Sequence, residues 1–339
     1  MNSQNSSLSR PHPSPIIHGD EDCFILTQNV LRDADEHAAG LQHWQQEYEQ
    51  LSGGVFAGSL DEIWFGNIQM FRERTNQILH ETGQSWGGSR TIAVTIDAIG
   101  EGLFSGTTLN RGSLFTLGGD GVLDFRTPKQ LDVIAVTTGA EELREFAYAV
   151  CDIDIEDNLA TSGVLNHSVD AAHCLGQFLE LLLSSIKDSP YILNHPQIRK
   201  EIEEEILTNL VVATSDAGPS NQMVTGPSRK SVVDKAKAYV LEHHEDPVTV
   251  IDLCKVLQIS RRTLQYSFES VLDINPVTYL RAIRLNRVRR ALKVGSGVTS
   301  MTVADIAARW GFWHLSRFAC NYKQMFGELP SETLRKHPY

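Results

Sequence analysis

Hydrophobic and polar positions change their spacing along the chain. Residues 41–51 have helical spacing and predict a short amphipathic helix. Between Gly54 and Val136, short runs alternate apolar and polar residues and are punctuated by glycine, which is typical of an antiparallel barrel or sandwich. Such a region is either an ordinary stable β-domain or a barrel that holds a ligand, and the spacing does not separate the two.

After Thr138 the apolar positions recur at helical spacing, and helices are predicted over 141–150, 168–186 and 196–212. These helices either pack against the β-domain or use the apolar stripe of the second helix to pair with a second copy of the chain. Residues 215–229 are rich in Gly, Pro, Ser and Asn, as expected for a linker. The stripe of the second helix consists of Ala172, Leu175, Leu179, Leu182, Leu183 and Ile186.

The segment 230–339 contains an internal repeat, which determines its architecture. TVIDLCKVLQI at 249–259 superposes on TVADIAARWGF at 302–312. Each copy starts with the T-x-x-D pattern that satisfies free N–H groups at a helix N-terminus, and Gly311 favours a sharp turn in the second copy. Each copy therefore predicts two helices joined by a tight turn. The second helix of each pair carries polar residues that suit base edges in a DNA major groove.

A further helix is predicted between the two copies, with Asn275 as N-cap and Pro276 at its first position. At ~1.5 Å per residue it spans about 27 Å, which would place the two motifs roughly one DNA turn apart. Arginines on a helix are often simply solvated, but the neighbouring repeat favours DNA binding. The arginines are Arg281, Arg284, Arg287, Arg289 and Arg290.

Charge divides the chain at the same place. The whole chain has a formal charge of −12, which argues against a nucleic-acid-binding protein. Residues 229–339, however, carry 18 Lys+Arg and 10 Asp+Glu, a charge of +8, whereas residues 1–228 carry 12 and 32, a charge of −20. Such asymmetry indicates two domains with different partners.

Composition and motifs exclude several classes of protein. No apolar run reaches the ~18 residues of a membrane span, the N-terminus lacks a secretory signal, and five scattered cysteines indicate a reduced, cytoplasmic protein. His80 is the one histidine between Gly54 and Val150, so the β-region lacks ligands for a catalytic metal. The sequence has no P-loop, G-x-S-x-G or dinucleotide fingerprint. We therefore expect no enzyme, no metal and no cofactor.

The C-terminal residues resemble a known family. SRRTLQ at 260–265, RAIRLNRVRRAL at 281–292 and DIAARWGFWHLSRFACNYKQMFGELPSETL at 305–334 are similar to the DNA-binding domain of AraC/XylS-type regulators. The resemblance implies two helix-turn-helix motifs, control of transcription that is usually activation, and promoter DNA and RNA polymerase as partners. Cys320 stands where many relatives carry Arg, so base recognition by the second motif is expected to depend on Arg317.

Motif positions assign contacts to individual residues through this resemblance. The residues implied to contact phosphates are Arg281, Arg284 and Lys323. The residues implied to contact bases are Arg261, Arg262, Gln265, Tyr266, His314, Ser316, Arg317 and Asn321.

The N-terminal half is more loosely similar to the ethanolamine-utilisation regulator branch of that family, through LQHWQQEYEQLSGGVFAGSLDEIWFGNIQMFRERTNQ and the segment ending in DFRTPKQLDVIAV. That regulator responds to ethanolamine and a cobalamin cofactor. We therefore expect a small effector, such as an amine, although an aromatic residue of this kind is more often ordinary core than the wall of a ligand site. The aromatic candidates are Trp64, Phe71, Trp86, Phe104 and Phe125, and the acidic candidates are Glu62, Asp97 and Asp124.

Together these observations predict an α+β protein in four parts. A disordered tail (1–20) precedes a sensor and dimerisation domain (21–214), which is a cupin-like antiparallel β-barrel with packed helices. A linker (215–229) leads to an all-α DNA-binding domain (230–339) with two helix-turn-helix motifs. The predicted function is that of a cytoplasmic, homodimeric transcription regulator without membrane contact, an activator of a catabolic operon controlled by a small metabolite. The alternative is control by a protein partner on the N-terminal domain.

Overall fold

The computed structural model describes residues 24–155, 159, 162–166, 168–215, 218–219, 227–243, 247–294 and 302–336. The predicted tail 1–20 lies outside these residues, as does most of the predicted linker 215–229. None of the helices in the described ranges is long and apolar enough to cross a membrane.

Strands dominate the N-terminal region, as the alternating pattern predicts. They are β1 (Ile25–Leu31), β2 (Gln45–Gln50), β3 (Gly58–Phe65), β4 (Ile68–Thr75), β5 (Leu79–Gln84), β6 (Ser89–Ile99), β7 (Gly102–Phe104), β8 (Thr107–Leu109), β9 (Leu114–Gly118), β10 (Leu123–Arg126), β11 (Gln130–Gly139), β12 (Gly163–Asn166) and β13 (Gly218–Pro219).

One short helix lies between β1 and β2, and the other helices come after β11 and alone form the elements described from residue 227 onward. They are α1 (Ala34–Ala38), α2 (Ala140–Cys151), α3 (Val169–Asp188), α4 (Pro196–Ser215), α5 (Pro227–Glu242), α6 (Val250–Leu257), α7 (Arg261–Leu272), α8 (Pro276–Val294), α9 (Val303–Arg309), α10 (Leu315–Phe326) and α11 (Pro330–Lys336), with a 3-10 turn at Pro190–Asn194. The helices predicted over 141–150, 168–186 and 196–212 are thereby confirmed as α2, α3 and α4.

The strands form two open sheets, so the predicted closed barrel is wrong. One sheet has the order β1-β3-β4-β11-β6-β9-β12-β13 and the other the order β2-β5-β10-β7-β8. Local alternation and glycine turns determine where strands occur, but closure depends on strand tilt and register across the whole sheet. The α+β class and the division into a β-rich and a helical part are confirmed.

The helix predicted over 41–51 is also wrong, because these residues contain the edge strand β2. Its partner is β5, with Tyr48 opposite Glu81 and Glu49 opposite His80. A run of glutamine and glutamate suits a helix by intrinsic propensity, but pairing with a distant strand overrides such preferences.

Helices α2, α3 and α4 cover the outer face of the eight-stranded sheet. The apolar stripe of α3, including Leu175, Leu179 and Leu183, is buried there against residues such as Ile134 and Val136 of β11. Of the two interpretations of the stripe, packing against the β-domain is therefore the one that the structure shows. Because its side chains are used within the chain, the stripe is not available for pairing with a second copy.

The internal repeat folds as predicted into two helix-turn-helix units, α6–α7 and α9–α10. Thr249 with Asp252, and Thr302 with Asp305, form matching capping boxes at the N-termini of α6 and α9. Gly311 has φ +78°, in the left-handed region that favours glycine. Separate apolar cores support the units, one around Leu264 and Phe268 and the other around Phe318, Tyr322 and Phe326.

The capping boxes give a prediction about stability. Replacing Thr302 with alanine removes the hydroxyl that accepts from the Asp305 N–H at 3.2 Å, and should cost about 1 kcal/mol of unfolding free energy. Urea denaturation of the whole chain measures this. Replacing the equivalent Thr249 should cost a similar amount, since its hydroxyl makes the same bond at 3.3 Å. No loss at either position would show that these caps do not contribute to stability.

Candidate functional site

The first recognition helix, α7, presents its predicted base-contacting residues to solvent. Arg261, Arg262, Gln265 and Tyr266 are all exposed. Two contacts hold this row in order: the Arg262 guanidinium donates to the Tyr266 hydroxyl at 3.2 Å, and the Gln265 amide donates to Glu269 Oε1 at 2.9 Å. The four side chains therefore form one continuous polar face that a major groove could accept.

The second recognition helix, α10, presents a smaller polar face. His314 is its N-cap residue, and Ser316 and Arg317 are exposed on its first turn. Asn321 lies two turns into the helix and is half-buried, whereas Cys320 beside it is exposed. Arg317 is thus the most accessible charged group among the predicted base contacts of this helix.

The predicted phosphate contacts differ in accessibility. Lys323 is exposed on α10, whereas Arg281 and Arg284 on α8 are half-buried. The Arg284 guanidinium lies 5.5 Å from the centre of the Phe312 ring and donates to the Leu280 carbonyl at 3.3 Å. Burial and the nearby Arg281 lower the pKa of Arg284. Lys323 is therefore the best placed of the three to meet a phosphate without rearrangement.

The remaining arginines of α8 bind the N-terminal domain instead of solvent or DNA, which sequence analysis missed. Arg290 lies 2.7 Å from Asp35 and 2.6 Å from both Glu47 and Glu49, and it donates to the Tyr48 carbonyl at 2.8 Å. Attraction between opposite charges on two segments that are far apart in the sequence cannot be predicted from the spacing of residues within either segment. The other cations of this cluster are Arg287 with Glu47, Arg289 with Asp33, and Lys293 with Asp33 and Asp35.

A second cluster joins the domains at Asp124, one of the predicted effector residues. Lys237 on α5 donates to its carboxylate at 2.6 Å, and His80 Nε2 lies 3.0 Å away. Although burial acts in the opposite direction, Lys237 and His80 hold the pKa of Asp124 well below its usual range. His80 also lies 3.4 Å from the Tyr279 hydroxyl of α8. Asp124 therefore holds the domains together and does not face a ligand cavity.

The five-stranded sheet thus has two functional faces. Glu47 and Glu49 of β2, His80 of β5 and Asp124 of β10 face the DNA-binding domain, and Arg126 of β10 pairs with Asp273 at 3.3 Å. The alternate residues face a cavity between the two sheets. That row runs through Gln46 of β2, Glu81 of β5, Phe125 of β10 and Phe104 of β7.

The cavity has a volume of about 40 Å³ and is largely apolar, with five aromatic side chains in its wall. Phe71, Phe104 and Phe125, which the sequence proposed as wall residues, line it together with Trp44 and Phe115. Two carboxyl groups, those of Glu73 and Glu81, also belong to its wall. The cavity therefore has room for a few water-sized groups between apolar walls that also carry a few polar groups.

The other predicted effector residues do not converge on this cavity. Trp64 and Trp86 lie together, with ring centres 6.2 Å apart, and Glu62 is buried and accepts from Gln69 at 2.7 Å. Asp97 is exposed in a separate surface cleft beside Asp132. Sequence spacing could not have selected Glu73 and Glu81, because their proximity comes from packing of one sheet on the other.

The cavity carboxyls share a polar cluster. His37 Nε2 lies 2.9 Å and the Tyr48 hydroxyl 3.2 Å from Glu73 Oε1, whereas Glu81 Oε1 has no hydrogen-bond partner. Burial, reinforced by Glu73, raises the pKa of Glu81 well above its ordinary value. Burial and the two glutamates likewise raise the pKa of Tyr48.

A pH dependence follows from Glu81. A carboxyl whose pKa is raised in the folded state stabilises the fold below its ordinary pKa of 4.5, and this contribution is lost as the pH rises toward the folded value. In that window the unfolding free energy of the wild type should fall by up to ~1.4 kcal/mol per pH unit relative to Glu81→Gln. Denaturation of both proteins above pH 4.5 measures the difference. Parallel pH profiles would show that Glu81 is ionised in the fold.

Two helix-turn-helix units with exposed second helices, held on a basic domain, define a DNA-binding transcription regulator and not an enzyme. The sequence matches the family described as "Helix-turn-helix domain" over residues 253–336. It is 31% identical over 116 residues to XylDLEGF operon transcriptional activator 2 of Pseudomonas putida, covering 32% of this chain and 73% of that protein. The chain belongs to the AraC/XylS family of transcription regulators.

The chain is also similar to two further proteins. The probable thc operon regulatory protein of Rhodococcus erythropolis is 35% identical over 166 residues, which cover 48% of this chain and 50% of that protein. The solved structure of the AraC-like transcriptional activator CuxR aligns with 80% of this chain and 97% of its own, at 18% identity and a TM-score of 0.42. The chain spans half or less of the first curated relatives it matches. The likeness to the ethanolamine branch stays a prediction.

Proposed function

We propose that the protein is a cytoplasmic, sequence-specific activator of a catabolic operon, controlled by a small metabolite bound in its N-terminal domain. It binds promoter DNA as a homodimer and contacts RNA polymerase there. The observation that carries the proposal is the pair of exposed recognition helices on a domain docked against a cavity-lining sheet. The names of relatives, which include operon regulators and activators, support activation.

DNA recognition is divided between the two motifs in this proposal. The continuous polar face of α7 supplies base contacts through Arg261, Arg262, Gln265 and Tyr266, since arginine pairs with guanine and glutamine with adenine. The smaller face of α10 contributes His314, Ser316, Arg317 and Asn321. Arg281, Arg284 and Lys323 position the domain on phosphates.

Effector control is supported by the two faces of the five-stranded sheet. Gln46 and Glu47 are neighbours on β2, yet one lines the cavity and the other lies 2.6 Å from Arg290 of α8. A ligand that moves β2 therefore changes the ion pairs that hold the connecting helix. Binding in the cavity and docking of the DNA-binding domain are then linked through one strand.

The alternative is control by a protein partner, and the helical layer favours it in one respect. Large apolar residues are exposed on α2, α3, the 3-10 turn and α4, where a partner or the second subunit would dock. They are Tyr148, Val150, Leu181, Tyr191 and Val212.

Footprinting of the full-length protein on fragments of its own genome tests the proposal. We expect protection of two adjacent major grooves per subunit upstream of a catabolic operon, and a change in affinity or in transcription when that operon's substrate is added. Protection without any metabolite response, together with a response to a bound protein, would favour the alternative. Binding without sequence preference would contradict both.

A further inference from the structure

We propose that the inter-sheet cavity binds a short alkylammonium ion, with its charged head between Glu73 and Glu81 and its tail against the phenylalanine rings. The inference rests on the proposed effector control and names the chemical class of the effector. It starts from Glu81, which is 2% exposed, lines the cavity and has one carboxyl oxygen without a partner. Leaving a buried polar oxygen without a hydrogen-bond partner is unfavourable, so the site favours a ligand that bonds to it.

The second carboxyl group, that of Glu73, indicates which charge the ligand carries. Glu73 belongs to the same wall, and its Oε1 already accepts from the Tyr48 hydroxyl and lies 2.9 Å from His37. Burial beside Glu73 keeps Glu81 protonated when no ligand is bound, and a cation placed between the two carboxyl groups would favour its ionisation. An anion would face both groups and is disfavoured, whereas an ammonium ion carries three donors, enough to reach both carboxyl groups, and its single charge compensates one of them.

The aromatic wall agrees with a cation that carries an apolar tail. Phe104, Phe115 and Phe125 form a cluster with ring centres 4.7–5.9 Å apart. Ring faces attract cations and also remove an alkyl chain from water. Thr91 lies on the same wall, but its hydroxyl is already bonded to that of Thr137 at 2.8 Å.

The size of the cavity limits the length of the tail. About 40 Å³ accommodates a few non-hydrogen atoms, since one water-sized group needs ~10–15 Å³. A propylammonium ion is close to this limit. Longer chains require the half-buried Trp44 or Gln46 at the cavity wall to rotate.

Isothermal titration of the full-length protein with propylamine tests the site, with propan-1-ol and propionate as isosteric neutral and anionic probes. We expect binding of propylamine and at least tenfold weaker binding of the other two. Equal affinity for propan-1-ol would overturn the cationic class, and tighter binding of propionate would overturn it more directly. Hexylamine should bind more weakly than propylamine, because its chain exceeds the cavity.

Two variants locate the binding. Glu81→Gln removes the carboxyl group that can ionise beside the cation and should weaken propylamine binding at least tenfold, whereas Glu62→Gln, which is also buried but lies outside the cavity, should retain it. The reverse pattern would overturn the proposal. Ala135→Leu fills the cavity from the opposite sheet and should abolish binding while leaving a cooperative thermal unfolding transition. Binding retained in Ala135→Leu would place the amine elsewhere.

A transcription assay separates this inference from the proposed function. If propylamine fails to bind but another metabolite alters promoter activity, effector control stands and the alkylammonium assignment is wrong. If propylamine binds through Glu81 without altering DNA affinity or transcription, the site stands and the proposed control fails. Promoter activity that responds to propylamine and loses the response in Glu81→Gln supports both.

Discussion

Replacing Arg290 with methionine should lower the unfolding free energy by about 3 kcal/mol, because it leaves the buried carboxylate of Glu49 without its nearest cation. Arg290 binds Asp35, Glu47 and Glu49 at 2.6–2.7 Å. Glu49 is 5% exposed, and burial raises its pKa to about 7 even beside Arg290 and Arg287. Urea denaturation at pH 8, which does not add the screening of an ionic denaturant, measures the loss.

The same helix provides a matched control for this prediction. Arg281 is half-buried on α8 and forms no ion pair with the described residues, so Arg281→Met should cost far less stability. A double variant, Glu49→Met with Arg290→Met, should recover part of the loss because the buried charge disappears with its partner. Equal stability of Arg290→Met and wild type would show that the α8 cluster is screened by water.

The second large effect concerns DNA. Arg317→Ala should weaken binding to the cognate promoter by about 1–3 kcal/mol, roughly 5–150-fold, and relax preference at one base pair. Arg317 is exposed on the first turn of α10, where a bidentate pair with guanine is geometrically accessible. Fluorescence anisotropy with the cognate site and with single-base variants of it measures both effects.

Two variants distinguish base recognition from general electrostatics. Arg335→Ala removes the same charge from the exposed surface of α11 and should leave specific affinity nearly unchanged. Lys323→Ala should weaken all sequences alike and reduce the salt slope by about 1, as expected for a phosphate contact. If Arg317→Ala behaved like Lys323→Ala, Arg317 would contact phosphate and not a base.

The C-terminal architecture was predictable because its signals are local. Capping boxes at Thr249 and Thr302, the turn at Gly311 and the N-cap at Asn275 each act within a few residues of themselves. Helices α2, α3 and α4 were predictable for the same reason, since helical periodicity is a property of the segment alone.

The remaining features depend on contacts between distant segments. Strand β2 was mistaken for a helix because its partner β5 lies some thirty residues away, and the open sheets were mistaken for a barrel because register is not local. Phe71, Phe104 and Phe125 line one cavity, as the sequence proposes, and their role in binding an effector stays a prediction. The sequence does not indicate Glu73 and Glu81 in that wall, or the carboxylates that bind α8. Arginine on a helix suits DNA, solvent or an acidic strand equally well, and only the fold decides among them.

The contact of Asn286 with β2 has a consequence for association. Its side-chain amide accepts from the Gln50 N–H at 3.3 Å and donates to the Gln50 carbonyl at 3.0 Å, as a neighbouring strand would. β2 is the outermost strand of its sheet, and unpaired edges recruit strands from other molecules. The DNA-binding domain therefore covers the otherwise unpaired edge of β2. Any signal that releases α8 also uncovers this edge and removes the arginines that compensate Glu47 and Glu49, so undocking leaves β2 both unpaired and negatively charged.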